Sequence, residues 1–173
     1  MFSKKDLQTN EYHPYYELYL ARVESDEALM ESFRKSKHDF KDFLNSIPEE
    51  KYHFQYQEGK WTIKEIVQHI IDTERIFCYR ALRIARGDKT PLPGFDENAF
   101  VPPSKANLKS MPQLIKEYTT LREANLALFE GFDKQMLTCL GEASAGPVSV
   151  RAIPFILVGH ERHHIHIFET RYK

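Results

Sequence analysis

A run near the C-terminus, residues 154–172, constrains the fold of this chain most strongly because it reads as a single helix. Its apolar residues recur with the 3.6-residue period of an α-helix, at Ile153, Ile156, Leu157, Ile167 and Phe168. His160 and His164 fall on the same stripe, one turn apart. The polar residues fall on the other side, at Arg162, His166, Glu169, Thr170 and Lys173. The helix is therefore predicted to direct two imidazoles into a core.

Two buried imidazoles need partners, because burying a polar group without one is costly. Side chains four residues apart on a helix lie about 6 Å from each other and can bind one ion. His160 and His164 therefore fit a divalent metal site. They also fit a second interpretation, in which both are hydrogen-bonded residues of the core.

A catalytic zinc site usually has three protein ligands and one open position. His69 lies beside the apolar stripe of another predicted helix and is the best third ligand by spacing. His163 is three residues from His160 but adjacent to His164, so on one helix it cannot join both at one ion without distortion. The remaining histidines are expected in loops or on polar helix faces: His13, His38, His53 and His166. Cys78 lies too far along the helix from His69 and is expected to fill space in the core.

Residues 160–164 also read as H-E-x-x-H, the motif of zinc proteases. Only nine residues follow His164, and the strands that would hold a peptide are missing, so we do not favour a protease. Glu161 could act as a base beside the metal. The simpler expectation is a solvated carboxylate on the helix surface.

The whole chain of 173 residues is predicted to form one domain, residues 1–173, with an aromatic arm at residues 1–24. A net charge of −1 gives no general attraction to nucleic acid. No apolar run approaches the length of a membrane span. The first six residues lack the apolar core of a signal peptide. Only two cysteines are present, without a C-x-x-C pair, which suits a reducing cytoplasm.

Four amphipathic helices of about 20 residues are predicted, with no convincing pair of strands. The first begins near 25–27 and ends at Pro48. The second begins with a T-x-x-E capping box at Thr62, and the third spans about 112–131. The last begins near Ser149 or Pro154. Residues 87–110 are rich in proline and form a long connection, so an all-α four-helix bundle with a crossover between helices 2 and 3 is expected.

Three separated motifs of this sequence resemble those of the DinB/YfiT-like family. They are residues 59–75 at the start of the second helix, residues 86–96 in the crossover, and residues 149–164 in the last helix. The resemblance implies a four-helix bundle, often dimeric, so a homodimer is expected. By position it also implies that His69, His160 and His164 are the metal ligands.

The resemblance further implies a metalloenzyme that uses a divalent ion, zinc or nickel. Some family members add a low-molecular-weight thiol to electrophiles, and others have been called metal-dependent hydrolases. We therefore expect activation of a water or a thiol for attack on a small-molecule substrate. The alternative is a non-catalytic, stress-related binding or scaffold protein whose metal is structural.

Overall fold

The computed structural model describes residues 2–172, and most of its regular structure is helical. Lys173, which the periodicity places on the polar side of the last helix, lies outside the described residues, as does Met1. The helices are α1 (Glu17–Leu20), α2 (Leu29–Ser46), α3 (Ile63–Ala85), α4 (Glu97–Ser104), α5 (Met111–Glu130), α6 (Lys134–Leu137) and α7 (Ala152–Arg171). Four of them are long and correspond to the four predicted helices: α2, α3, α5 and α7.

The start of α3 confirms the predicted capping box. The Thr62 hydroxyl accepts a hydrogen bond from the Glu65 backbone N–H at 3.2 Å, and the Glu65 carboxylate accepts from the Thr62 N–H at 2.7 Å. These two bonds satisfy backbone donors that the first turn leaves free. The helix ends just before Gly87, whose φ of +83° is a conformation that glycine adopts without strain.

The start of α2 was predicted about three residues too early, because Ser25–Glu27 do not form its first turn. The helix begins at Leu29, after Ala28. The Glu27 carboxylate instead accepts hydrogen bonds from Arg162 at 2.6 and 2.9 Å and from the Ser32 hydroxyl at 2.6 Å. The acidic residue that suggested a helix cap thus connects this segment to α7.

Pro154 does not kink the last helix but lies close to its start. The α7 helix begins at Ala152, so Pro154 lies in the first turn, where its missing N–H costs no helical hydrogen bond. The Ser149 hydroxyl accepts a hydrogen bond from the Ala152 N–H at 3.2 Å. Further along the helix, His166, Glu169 and Thr170 are exposed, as the periodicity predicted.

A small β-hairpin corrects the all-α expectation. Strands β1 (Leu140–Ala143) and β2 (Gly146–Ser149) pair antiparallel, with Leu140 opposite Ser149. The two turn residues, Ser144 and Ala145, have φ of +53° and +60°. Tight hairpin turns with this geometry are usually built from Asn-Gly or similar pairs, so the sequence carried no recognisable turn pattern.

The order of the contacts between neighbouring long helices shows whether the two helices are parallel or antiparallel. Between α3 and α5, Gln68 lies near Glu117 and Glu74 near Arg122, so the contacts advance along both helices. Contacts between α2 and α5 run in opposite senses, with Arg34 near Glu130 and Lys37 near Glu123. This order favours a parallel α3 and α5. A crossover that spans the bundle between them stays a prediction.

Buried polar residues occupy the middle of the bundle, between two apolar clusters. On every long helix one cluster lies toward one end and the other cluster toward the opposite end. Buried polar side chains interrupt the apolar stripe between them: Ser36 on α2, Glu74 on α3, Arg122 and Asn125 on α5, and His160, Glu161 and His164 on α7. The candidate site is in this middle layer.

The N-terminal segment packs against the bundle. Residues 2–24 form short 3₁₀ turns and α1, and α1 contacts α7. Four of its apolar residues are buried in the core: Tyr12, Tyr16, Leu20 and Val23. The segment therefore contributes to the interior as well as covering the surface.

None of the helices in residues 2–172 combines the length and the apolar character that a membrane span requires.

Gly159 permits the close approach of α1 to α7. A Cβ at this position would lie 2.1 Å from the Tyr19 carbonyl oxygen and 2.5 Å from its carbon, which are backbone atoms. We expect Gly159→Ala to separate the two helices and to lower the free energy of unfolding by about 1–3 kcal/mol or more in urea titrations.

Gly131→Ala is the matched control for this substitution. A Cβ at Gly131 would be in ordinary contact with the Leu128 carbonyl oxygen at 3.4 Å, and φ is −78° there. Alanine is compatible with both, so stability is expected to change little. Equal destabilisation by the two alanines would contradict this account of the α1–α7 contact.

Candidate metal centre

Three imidazoles from two helices meet in the middle of the bundle. The Nε2 atom of His160 lies 3.1 Å from Nε2 of His69 and 3.0 Å from Nε2 of His164. Within residues 2–172, these three are the one group of histidine, cysteine and acidic residues close enough to share an ion, with all ligand atoms within 4.8 Å of one another. The structure thus brings together the three residues that the spacing selected.

Burial keeps these imidazoles neutral at neutral pH. It lowers the pKa of His69 to about 4 and holds the pKa of His160 and of His164 well below the usual value. A neutral imidazole has a free lone pair on one ring nitrogen, which is the form that binds a metal. All three rings are therefore ready to act as ligands without first losing a proton.

The geometry fits a shared ion better than mutual hydrogen bonds. A proton on His160 Nε2 can be donated to only one of its two neighbours, so hydrogen bonds cannot satisfy both contacts at once. Two nitrogens bound to one zinc at about 2.0–2.1 Å lie about 3.4 Å apart in tetrahedral geometry. The separations of His160 from His69 and from His164, 3.1 and 3.0 Å, are close to that value.

The other histidines remain outside this group. His163 contacts Tyr19 edge-on, with ring centroids 5.5 Å apart, and faces the same pocket without joining the triad. The side chains of His13, His38, His53 and His166 are exposed, although His13 also borders the pocket. Cys78 is buried in the apolar core, and burial raises the pKa of its thiol.

Glu161 is not a solvated carboxylate, so that expectation was wrong. Its side chain is 2% exposed, and its Oε1 accepts hydrogen bonds from the Tyr118 hydroxyl at 3.0 Å and from Arg122. Glu161 follows His160 directly on α7 and therefore lies about 100° around the helix from it. The carboxylate is held away from the three imidazoles, which argues against its use as a base there.

Arg122 forms the centre of a buried polar network that sequence reasoning missed. Its guanidinium donates to both carboxylate oxygens of Glu74 at 2.8 Å, to Glu161, and to the Ser36 hydroxyl at 2.6 Å. Asn125 adds a bond to Glu74 at 2.9 Å. The network connects α2, α3, α5 and α7 directly behind the imidazoles. Its sequence signal was a charged residue on the apolar stripe of α5, between Tyr118 and Phe129.

A pocket of about 530 Å³ opens beside the imidazoles. Its walls are largely aromatic, formed by Tyr16, Tyr19, Trp61, Phe77 and Phe95. The ring centroids of Trp61 and His69 lie 4.9 Å apart, so an indole borders the candidate metal position. A cavity of this size and character is typical of sites for small molecules.

Solved structures share this fold. YfiT from Bacillus subtilis, described as a probable metal-dependent hydrolase with an unusual four-helix bundle topology, superimposes with a TM-score of 0.70 at 16% identity, covering 88% of this chain and 95% of that one. A mycothiol-dependent maleylpyruvate isomerase gives a TM-score of 0.67 at 12% identity, covering 96% of this chain and 62% of that one. The fold is therefore a four-helix bundle like that of YfiT, and this chain also contains a small hairpin.

Sequence comparison gives a related result. A protein of Oceanobacillus iheyensis, named "Putative metal-dependent hydrolase OB0413", is 28% identical over 124 residues, which is 70% of each chain. The family model of the DinB superfamily matches residues 32–168, a range that includes all three imidazoles. The chain belongs to the DinB superfamily.

Proposed function

We propose that this protein is a metalloenzyme in which His69, His160 and His164 hold a divalent ion, zinc or nickel. One observation carries the proposal: three neutral imidazoles converge on a point at the wall of a 530 Å³ pocket. When bound, such an ion supplies Lewis-acid chemistry, lowering the pKa of a water or thiol toward neutrality and polarising a substrate oxygen.

The residues of this chain would bind the ion, form the substrate pocket and hold the ligands in position. The three imidazoles would hold the ion at the wall of the pocket, where a substrate could reach it. The aromatic walls of Tyr19 and Trp61 limit access of water and suit an apolar substrate. The Arg122 network lies behind α7 and restrains the helix that carries two of the ligands, which is how outer residues orient a metal site.

Either water or a low-molecular-weight thiol is a candidate nucleophile toward a small electrophile. The names of YfiT and of the Oceanobacillus protein favour hydrolysis. The mycothiol dependence of the isomerase with the same fold favours a thiol, such as bacillithiol, mycothiol or glutathione. The pocket is large enough for either arrangement.

The non-catalytic alternative requires a closed metal site with four protein ligands. In residues 2–172 the ligand group has three members and borders an open pocket, which supports the enzyme. The homodimer and the cytoplasmic location stay predictions.

The proposal is tested with tag-free protein depleted of metal by a chelator and reloaded with zinc or nickel. Hydrolysis of p-nitrophenyl esters and the reaction of glutathione or bacillithiol with 1-chloro-2,4-dinitrobenzene are then measured. We expect at least one activity to appear only in the reloaded protein. Equal background rates in the depleted and reloaded protein, with metal content verified, would contradict the proposed enzyme.

A further inference from the structure

Two arginines of this protein are buried, and only one of them is paired with carboxylates. Arg122 has two carboxylates, Glu74 and Glu161. Arg80 on α3 is 2% exposed, and no carboxylate among the described residues forms an ion pair with it. Because a guanidinium keeps its charge in proteins, Arg80 places a positive charge in the interior without a carboxylate counterion, which is costly.

The neutral groups around Arg80 satisfy only part of its guanidinium. Its Nη2 donates at 2.9 Å to the Pro93 carbonyl oxygen and at 2.9 Å to the Ser144 hydroxyl, and the Tyr16 hydroxyl also interacts with the guanidinium. Its buried Nε has no acceptor among the described residues. The turn that presents Ser144 carries two consecutive non-glycine residues with positive φ. Backbone in this uncommon conformation tends to occur at functional sites.

Arg80 borders the same pocket as the three imidazoles. It is eleven residues after His69 on α3, about three helical turns, so the two side chains share a face. Long helical side chains lean toward the N-terminus, and the Arg80 guanidinium accordingly lies 4.9 Å from the Phe77 ring centroid, on the side of His69. The charge is thus on the order of 10–15 Å from the imidazoles.

Between them, Thr73 offers a second unused polar group. Thr73 lines the pocket, and its buried hydroxyl has no partner among the described residues. Glu97 also borders the pocket, but its side chain is exposed, so it is solvated at the rim. The pocket therefore has a cation at one end, the imidazoles at the other, and aromatic walls along its length.

We propose that this pocket binds an elongated small molecule whose anionic group, a carboxylate or phosphate, pairs with Arg80 while its reacting end faces the three imidazoles. The inference rests on the proposed function for the reacting end alone, because the anion site is formed by other residues. The anion supplies the counterion that no carboxylate of the described residues provides.

The anion site is tested with ω-carboxyalkyl hydroxamates, which carry a metal-chelating head and a carboxylate tail. A series with about four to about ten methylene groups covers the estimated separation. The neutral control for each compound has a primary amide in place of the carboxylate. Binding to zinc-loaded protein is followed by calorimetry and by the fluorescence of Trp61, the single tryptophan, which lies in the pocket wall.

We expect one chain length at which the carboxylate binds about ten- to hundredfold more tightly than its amide, the range for a hydrogen-bonded charge pair. Arg80→Gln should abolish the preference, whereas Arg83→Gln, which removes a half-buried cation of the same helix that pairs with Asp88, should preserve it. Equal affinities for acid and amide at every length in the unaltered protein would overturn the proposal, whether or not Arg80→Gln folds.

A protein that holds no metal at the imidazoles would give a result different from that of a protein without the anion site. If the imidazoles held no ion, hydroxamates would bind equally to reloaded and depleted protein, while the acid would still bind more tightly than the amide. Comparing glutathione with its diethyl ester as competitors then distinguishes two sources of the anion. Competition by glutathione but not the ester assigns Arg80 to a thiol cofactor, and no competition by either assigns it to the substrate.

Discussion

Replacing His164 by alanine is expected to remove the metal and the activity together. His164 supplies one of three nitrogens that converge on a single point, and its Nε2 lies 3.0 Å from that of His160. Loss of outer-shell partners alone costs about 10–100-fold in metal affinity, so loss of a ligand should cost at least about 100-fold. Metal content of tag-free protein by mass spectrometry is expected to fall from near one ion per chain to background.

His166→Ala is the matched control, because His166 lies on the same helix with its side chain exposed to solvent. It should retain full metal content and activity. The bundle of His164→Ala should remain folded by circular dichroism, because the two apolar clusters do not include the imidazoles. Equal metal in the unaltered protein and in His164→Ala would show that the ion, if any, is bound elsewhere.

Replacing Arg122 by methionine is expected to cause the largest loss of stability. The side chain is wholly buried and compensates the carboxylates of Glu74 and Glu161. Removing one partner of a buried ion pair leaves uncompensated charge and costs about 3–5 kcal/mol. For a chain of this size that corresponds to a fall of roughly 6–20 °C in Tm, measurable by thermal unfolding.

Arg75→Met provides the comparison. Arg75 also pairs with two carboxylates, Asp72 at 3.3 Å and Glu117 at 2.9 Å, but its side chain is 44% exposed. Such surface pairs contribute at most about 1 kcal/mol. Adding Glu74→Gln and Glu161→Gln to Arg122→Met should recover part of the loss, since no charge would remain in this network. Similar Tm values for Arg75→Met and Arg122→Met would contradict the role given to the network.

The helices and the converging imidazoles could be predicted because both follow from periodicity. The apolar stripe of the last helix includes His160 and His164. The capping box at Thr62 shows where α3 begins and therefore on which face of it His69 lies. Local patterns of this kind need no knowledge of how distant segments meet. The resemblance to the DinB/YfiT-like family selected the same three residues.

The missed features depend on contacts between distant segments. The hairpin turn at Ser144 and Ala145 adopts positive φ without the residues that usually indicate it. Glu161 was expected on the surface because only the fold places Arg122 and Tyr118 against it. The burial of Arg80 without a carboxylate partner depends on the fold and has no local signal in the sequence.

Anomalous diffraction from a crystal of the tag-free protein loaded with zinc tests the central claim most directly. Data collected on both sides of the zinc absorption edge locate the ion without assumptions about its ligands. The account predicts one strong peak about 2 Å from the Nε2 atoms of His69, His160 and His164, with its open side toward the pocket. Zinc bound at another position, with no peak among these three rings, would contradict it.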